Sequence, residues 1–277
     1  MEASLGSSVS ASAPVHGGDV AIAYRLDLAD GRRVFAKTHA DPPPHFFGTE
    51  AAGLTWLRDA QAVAVPEVLT VSDAPALLVL EWIDRGSPNR ATEAELGRAL
   101  AALHRAGAPS FGREDRRTTG SRGLPNEPTE TWTEFYAAQR LLPLARLARD
   151  GAALSDAAIG ELERLADRLG ELGVPDEPPA RLHGDLWAGN RIVDRDGCSW
   201  LIDPAAHGGH REFDLAMMRL FGGFGQDCFA AYHEVHPLVA GWEARAAVHQ
   251  LAPLVVHAIK FGGSYVGSTE QALRTLR

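Results

Sequence analysis

The stretch HGDLWAGNRIVDRDGCSWLIDP, His183 to Pro204, decides how this chain folds. Three polar side chains in it stand at telling intervals. Asp185 follows His-Gly, Asn190 comes five residues later, and Asp203 ends an apolar run thirteen residues beyond that. Between Asn190 and Asp203, the order Arg191-Ile-Val, Asp196-Gly197, Ser199-Trp-Leu-Ile202 reads as strand, turn, strand, because Asp-Gly between apolar runs signals a hairpin. A hairpin returns its ends to each other. Asn190 and Asp203 should therefore face one point, with Asp185 in the loop just before them.

Phosphoryl transfer from ATP requires this set of groups: a carboxylate to accept the attacking hydroxyl's proton, and an amide and a carboxylate to hold Mg²⁺. Protein kinases spell the loop His-Arg-Asp; here Gly184 stands in place of the arginine.

The rest of the sequence is compatible with such chemistry. A chain of 277 residues has room for one large domain or two lobes. Hydrophobic content of 45% and charged content of 23% are ordinary for a soluble globular enzyme. No apolar run is long enough to span a bilayer, and MEASLGSSVS lacks the basic and apolar regions of a signal peptide. With only Cys198 and Cys228, and no metal-ligand spacing, free thiols in a cytoplasmic protein are expected. A net charge of −9 argues against nucleic acid as the main partner.

The basic residues are informative in another way. Of 27, all but Lys37 and Lys260 are arginine. Lys37 lies in a run of predicted strands: Ser7–Ala13, then the alternating Val20, Ile22, Tyr24, Leu26 and Leu28, then Arg33–Thr38 after an Asp30-Gly31 turn. The turn Val15-His-Gly-Gly-Asp19 offers Gly17 and Gly18, whose small size lets backbone N–H groups approach phosphates. Phe47, Ala51, Leu54 and Leu57 then recur at helical spacing, and Glu50 falls among them on the wheel. A glutamate on a buried stripe needs a partner. Lys37 is the natural one, and such a pair would orient ATP phosphates.

Ala76–Ile83 reads as a further strand ending in a hinge, with the backbone of Glu81, Trp82 and Ile83 placed to meet adenine. Thr92 and Glu95 suggest a capping box opening a helix through Leu103, with His104 as a structural or helix-end residue. Helices are expected at 131–149 and 156–172, a linker at 175–179, and a mainly helical remainder from Glu212. The expected architecture is α+β and two-lobed, with an N-terminal antiparallel sheet plus helix at 1–83 and a larger, mainly helical C-terminal lobe at 84–277.

Four stretches, Val15–Tyr24, Trp132–Leu141, HGDLWAGN at 183–190 and Asp203–Ala216 continued by Phe221–Phe224, resemble the fructosamine (ketosamine-3) kinase family. That family belongs to the aminoglycoside-phosphotransferase and protein-kinase-like group. The resemblance implies transfer of the ATP γ-phosphate to the 3-hydroxyl of a small-molecule or protein-bound ketosamine, a deglycation step. It implies Asp185 as base, Asn190 and Asp203 on magnesium, Lys37 on the phosphates and Glu50 orienting Lys37. Trp187 reads as a wall for the sugar or as a core tryptophan. Glu212 and Asp214 either line the acceptor site or brace the loop after Asp203, with bracing favoured for Asp214; His210 is a substrate neighbour or a loop hydrogen-bonder. Another small-molecule O-phosphotransferase and an inactive nucleotide-binding pseudokinase are the alternatives.

Overall fold

Strand β3 (Arg33–Thr38) alternates its burial, with Val34 and Ala36 sunk against Leu26, Leu28 and Val79 and the opposite face carrying Phe35 and Lys37. The computed structural model describes residues 1–15, 21–114, 118–119 and 123–277. A short helix α1 (Glu2–Leu5) precedes β1 (Val9–Val15) and β2 (Ile22–Leu28). Past β3, helix α2 (Phe46–Asp59) leads to β4 (Val68–Asp73) and β5 (Ala76–Glu81). The five strands form one antiparallel sheet in the order β1-β2-β3-β5-β4. Lys37 thus sits on the central strand, opposite Ala23 on one side and Leu78 on the other. The expected Gly17–Gly18 turn lies outside the described residues.

Helix α2 buries Phe47, Ala51, Leu54 and Leu57. These join Leu78 and Leu80 of the sheet to Leu96, Leu100 and Leu103 of α3 (Arg90–Arg105) and to Leu186, Leu201 and Met218 further on. Apolar packing is therefore continuous across residue 83. Helix α3 starts earlier than its sequence suggested: Asn89, not Thr92, is the cap, its side chain accepting from Ala91 and Thr92 N–H at 2.9 and 3.1 Å. Thr92 itself is buried in the first turn.

A two-residue pair, β6 (Thr118–Thr119) with β7 (Leu124–Pro125), comes next. Thr131 and Glu134 form a capping box for α4 (Trp132–Tyr136). A π-helical turn (Ala137–Leu141) separates α4 from α5 (Leu142–Asp150). Pro143 has no N–H to give the Gln139 carbonyl, and the Arg140 guanidinium donates to that oxygen instead at 2.9 Å. After α6 (Asp156–Asp167) come two hairpin-like pairings that the site uses. Strand β8 (Ala180–Leu182) pairs with β11 (His207–Gly209), enclosing the hairpin of β9 (Arg191–Val193) and β10 (Ser199–Leu201). Asp194 shapes that hairpin, its carboxylate accepting from Asp196 N–H, Cys198 N–H and Trp200 Nε1 at 2.8–3.0 Å. The chain ends in α7 (Glu212–Phe221), α8 (Gln226–Val235), α9 (Trp242–Phe261) and α10 (Ser264–Thr275).

Leu54 has no exposed surface and stands where α2 meets both the sheet and the helical part. Leu54→Ala should cost about 2–5 kcal/mol, the range for a truncated core leucine. Urea unfolding with an unchanged denaturant slope would measure it; a loss under about 1 kcal/mol would mean that this junction refills the space.

Candidate active site

The site begins at the buried Lys37 ammonium, whose side chain retains 12% exposure. It donates to Glu50 Oε1 at 2.8 Å and makes a second, very short contact with Asp203 Oδ1. Strand β3, helix α2 and the end of the β10 hairpin thus converge on one positive charge. Burial opposes the charge on Lys37, yet the carboxylates of Glu50 and Asp203 outweigh it and its pKa stands above the usual lysine range. Burial pushes Glu50 up to about 7, against the pull of Lys37. Asp203 feels the same burial, but Lys37 overrides it and holds that carboxyl below the usual range. Asp203 adopts a left-handed backbone with φ of 54°. Few L-residues tolerate that region, and Asp is one that does; the turn aims its carboxylate at the lysine.

Asn190 ties Asp203 to the preceding loop. Its Nδ2 donates to the Asp185 carbonyl at 2.8 Å and to Asp185 Oδ2 at 3.0 Å, and reaches the Asp203 carbonyl at 3.4 Å. With the amide nitrogen so engaged, the amide oxygen remains as its donor atom for a cation. Burial pushes the Asp185 carboxyl up to about 7; the Asn190 hydrogen bond opposes this, while the negative charges of Asp203 and Asp214 add to it. The expected convergence of Asp185, Asn190 and Asp203 is present in the geometry.

The loop is held from behind. His183 N–H and Gly184 N–H donate to the two oxygens of Asp214 at 2.8 and 2.9 Å. The His183 ring accepts from Asp185 N–H at 3.2 Å and bonds the Ile202 carbonyl at 2.9 Å, linking the loop to the residue before Asp203. Gly184 has φ of 79°, and a methyl there would lie 2.2 Å from the Ala205 carbonyl oxygen. The arginine of protein kinases has no room at this position.

Trp187 is 43% exposed beside Asp185, edge-on to Phe221 at 6.5 Å, so it belongs to the surface of the site and not to the core. Three other expected substrate contacts are corrected. His210, Glu212 and Asp214 have no exposed surface. Asp214 does brace a loop, but it is the one carrying Asp185, through the backbone N–H groups of His183 and Gly184, and not the loop after Asp203. Both oxygens of Glu212 are taken by Arg245, at 2.5 and 3.1 Å. The His210 ring stacks on His249 at 5.2 Å, and its Nδ1 accepts from Glu212 N–H at 3.3 Å. His210, Glu212 and His249 lie close enough to suggest a metal centre, but Arg245 already neutralises Glu212 with a bidentate pair, and His249 Nε2 lies 3.4 Å from the same carboxylate. At the hinge, Glu81 N–H donates to the Glu67 carbonyl at 3.0 Å, which leaves Trp82 and Ile83 as the better N–H candidates for adenine. Sequence reasoning placed His104 as a structural or helix-end residue but not its partners, Asp214 and Tyr232, which come from more than a hundred residues away.

A family model, fructosamine kinase, matches residues 2–277. The chain belongs to the fructosamine kinase family. A ketosamine-3-kinase of Mus musculus is 33% identical over 98% of this chain and 96% of its own. A solved structure from Thermobifida fusca, provisionally named a fructosamine-3-kinase, is 42% identical and superposes with a TM-score of 0.90 over 98% of this chain and 94% of that one. The aminoglycoside phosphotransferase APH(4)-Ia, at 15% identity, shares the fold alone, with a TM-score of 0.65 over 99% of this chain and 97% of its own. The two-lobed, protein-kinase-like architecture and the assignment to the kinases follow. Among the described residues, no helix is long and apolar enough to cross a membrane.

The raised Asp185 pKa makes a prediction about stability. Its folded value, about 7, lies above that of a free aspartate, so folding binds a proton between those limits and stability falls as pH rises through that window. Asp185→Asn removes the buried charge while keeping an acceptor for Asn190. Its melting temperature should gain on the wild type from pH 5 to pH 8; a difference that does not change with pH would show that the Asp185 charge is freely solvated.

Proposed function

We propose that this protein is an ATP-dependent ketosamine kinase that phosphorylates the 3-hydroxyl of a sugar joined through C1 to an amine. The observation that carries the catalytic part is the Lys37 ammonium held between Glu50 and Asp203, with Asn190 linking Asp203 to Asp185. Family membership and the ketosamine-3-kinase relative support the acceptor class.

Asp185 takes the proton of the attacking hydroxyl as its oxygen bonds to the γ-phosphorus and the bond to the β-phosphate oxygen breaks, releasing ADP. A carboxyl near pH 7 suits that task, since a base works best when its pKa lies close to the working pH. Lys37 meets the phosphates, and Glu50 keeps it in place. Mg²⁺ fits the donors present, because Asp203 and Asn190 offer only oxygens to a hard cation. When bound, the ion neutralises charge on the β- and γ-phosphates. Trp187 provides a flat apolar face beside the base, suited to one sugar ring. With Glu212 and Asp214 buried and paired, neither is presented to a polyamine acceptor, which disfavours an aminoglycoside substrate.

The test supplies fructosyl-lysine, a ribulosamine and kanamycin at equal concentration with Mg·ATP, and identifies the product by mass. A phosphorylated ketosamine with untouched kanamycin is expected; the reverse would overturn the acceptor assignment. Asp185→Ala should lower kcat roughly 10²–10⁴-fold, the scale of a positioned base, and a variant retaining a tenth of wild-type turnover would remove Asp185 from that role.

Lys37→Arg, conservative in a chain this rich in arginine, should also fail. The slot between two carboxylates admits a compact ammonium, whereas guanidinium is wider with fixed planar donors. A loss of roughly 10²-fold or more is expected, as for a lost preorganised donor, with unchanged circular dichroism. Near-normal kinetics would mean that the phosphates are held elsewhere.

A further inference from the structure

We propose that His104, backed by Tyr232, is a positioning residue that fixes the loop carrying Asp185 by orienting the carboxylate of Asp214. The inference rests on the kinase reading of the site. His104 touches neither Asp185 nor the acceptor face, and its side chain is fully buried, as is that of Asp214. Its Nε2 lies 3.3 Å from Asp214 Oδ2, the oxygen that also receives His183 N–H. Its Nδ1 lies 2.8 Å from the Tyr232 hydroxyl. A carboxylate can only accept, so Nε2 is the donor there, and in the neutral ring Nδ1 accepts the Tyr232 O–H. Asp214 thereby sets the tautomer, Tyr232 holds the tilt of the ring from its other side, and the two rings meet edge to face at 5.5 Å.

The helices are built to bring these groups together. His104 is in the last turn of α3 and Tyr232 is in α8. A methyl at Gly97 of α3 would stand 2.1 Å from the Cys228 carbonyl of α8, so that glycine permits the close approach. Asp214 accepts from two backbone amides and from one imidazole, which suits a fully buried carboxylate with several lone pairs. Burial alone would raise its pKa, but the His104 hydrogen bond and the neighbouring imidazoles outweigh that and keep it ionised. Without His104 the anion loses one of three partners. It is then free to rotate away from His183 and Gly184, and displacement of a catalytic group by about 1 Å can cost about 10²-fold in rate.

The test compares wild type with His104→Ala, His104→Gln and Tyr232→Phe in two readouts. The first is backbone amide exchange at 183–185, which is independent of any substrate. The second is kcat and KM for ATP with fructosyl-lysine. For His104→Ala we expect faster exchange confined to that loop, kcat down about 10²-fold and KM for ATP within about twofold of wild type, since the Lys37 side of the site is untouched. His104→Gln, whose amide can donate to Asp214, should recover at least tenfold of the lost kcat. Wild-type exchange at His183 and Gly184 in His104→Ala, or glutamine no better than alanine, would overturn the proposal. If His104→Ala does not fold, Tyr232→Phe decides, because it keeps both rings and removes one hydroxyl: faster loop exchange supports the proposal and unchanged exchange defeats it. A wild type inactive on fructosyl-lysine would count against the proposed acceptor, and the exchange data would still judge the role of His104.

Discussion

Three parts of the chain, distant in sequence and packed on one apolar core, converge on one ammonium group that needs anions around it. Lys37 reaches Glu50 across the cleft between strand and helix, and reaches Asp203 at the end of the β10 hairpin. A lysine this far out of water is tolerable only when its charge is compensated. Burial drives Glu50 up to about 7, with the negative charge of Asp203 adding to it, while Lys37 holds the Asp203 carboxyl below the usual range. On the proposed function, phosphate oxygens entering the cleft would replace a carboxylate as partner of Lys37 without leaving its charge bare.

The opposite wall of the site follows a different rule. There the fold directs polar acceptors at the backbone rather than at side-chain cations. Asp214 binds two successive N–H groups, Asp194 fastens the hairpin turn, and the His183 ring ties Asp185 N–H to the Ile202 carbonyl. Side-chain rotamers can shift when a ligand arrives, but a peptide plane pinned by a buried carboxylate shifts little. Asp185, Asn190 and Asp203 are thereby set on a rigid frame, while the sheet brings Lys37 to them.

Much of this was legible in the sequence because it is local. The Asp196-Gly197 turn and flanking strands implied that Asn190 and Asp203 would meet, and helical spacing placed Glu50 on the face that Lys37 reaches. Strand β3 was expected at Arg33–Thr38, where it lies. What escaped depends on distant packing. The capping-box pattern at Thr92 was a weaker guide than Asn89, which lies outside the apolar repeat. His210 and Glu212 stand in a polar-looking run that suggested a surface, yet α9 and Trp132 of α4 cover them, with Arg245 and His249 arriving from over thirty residues away. The His104–Asp214 contact spans 110 residues, and no short-range pattern encodes it.

The slot around Lys37 has a consequence for chemical reactivity. Apart from the chain's own α-amine, the primary amines of this protein are those of Lys37 and Lys260, since every other basic side chain is a guanidinium or an imidazole. Acylating reagents and reducing sugars attack unprotonated amines. Lys37 is screened by its two carboxylates, which raise its pKa and keep the lone pair occupied by a proton. The folded protein therefore offers sugars and acylating agents very few nucleophilic nitrogens. An enzyme meant to work among glycated amines is, by composition and by this one buried contact, a poor target for glycation itself.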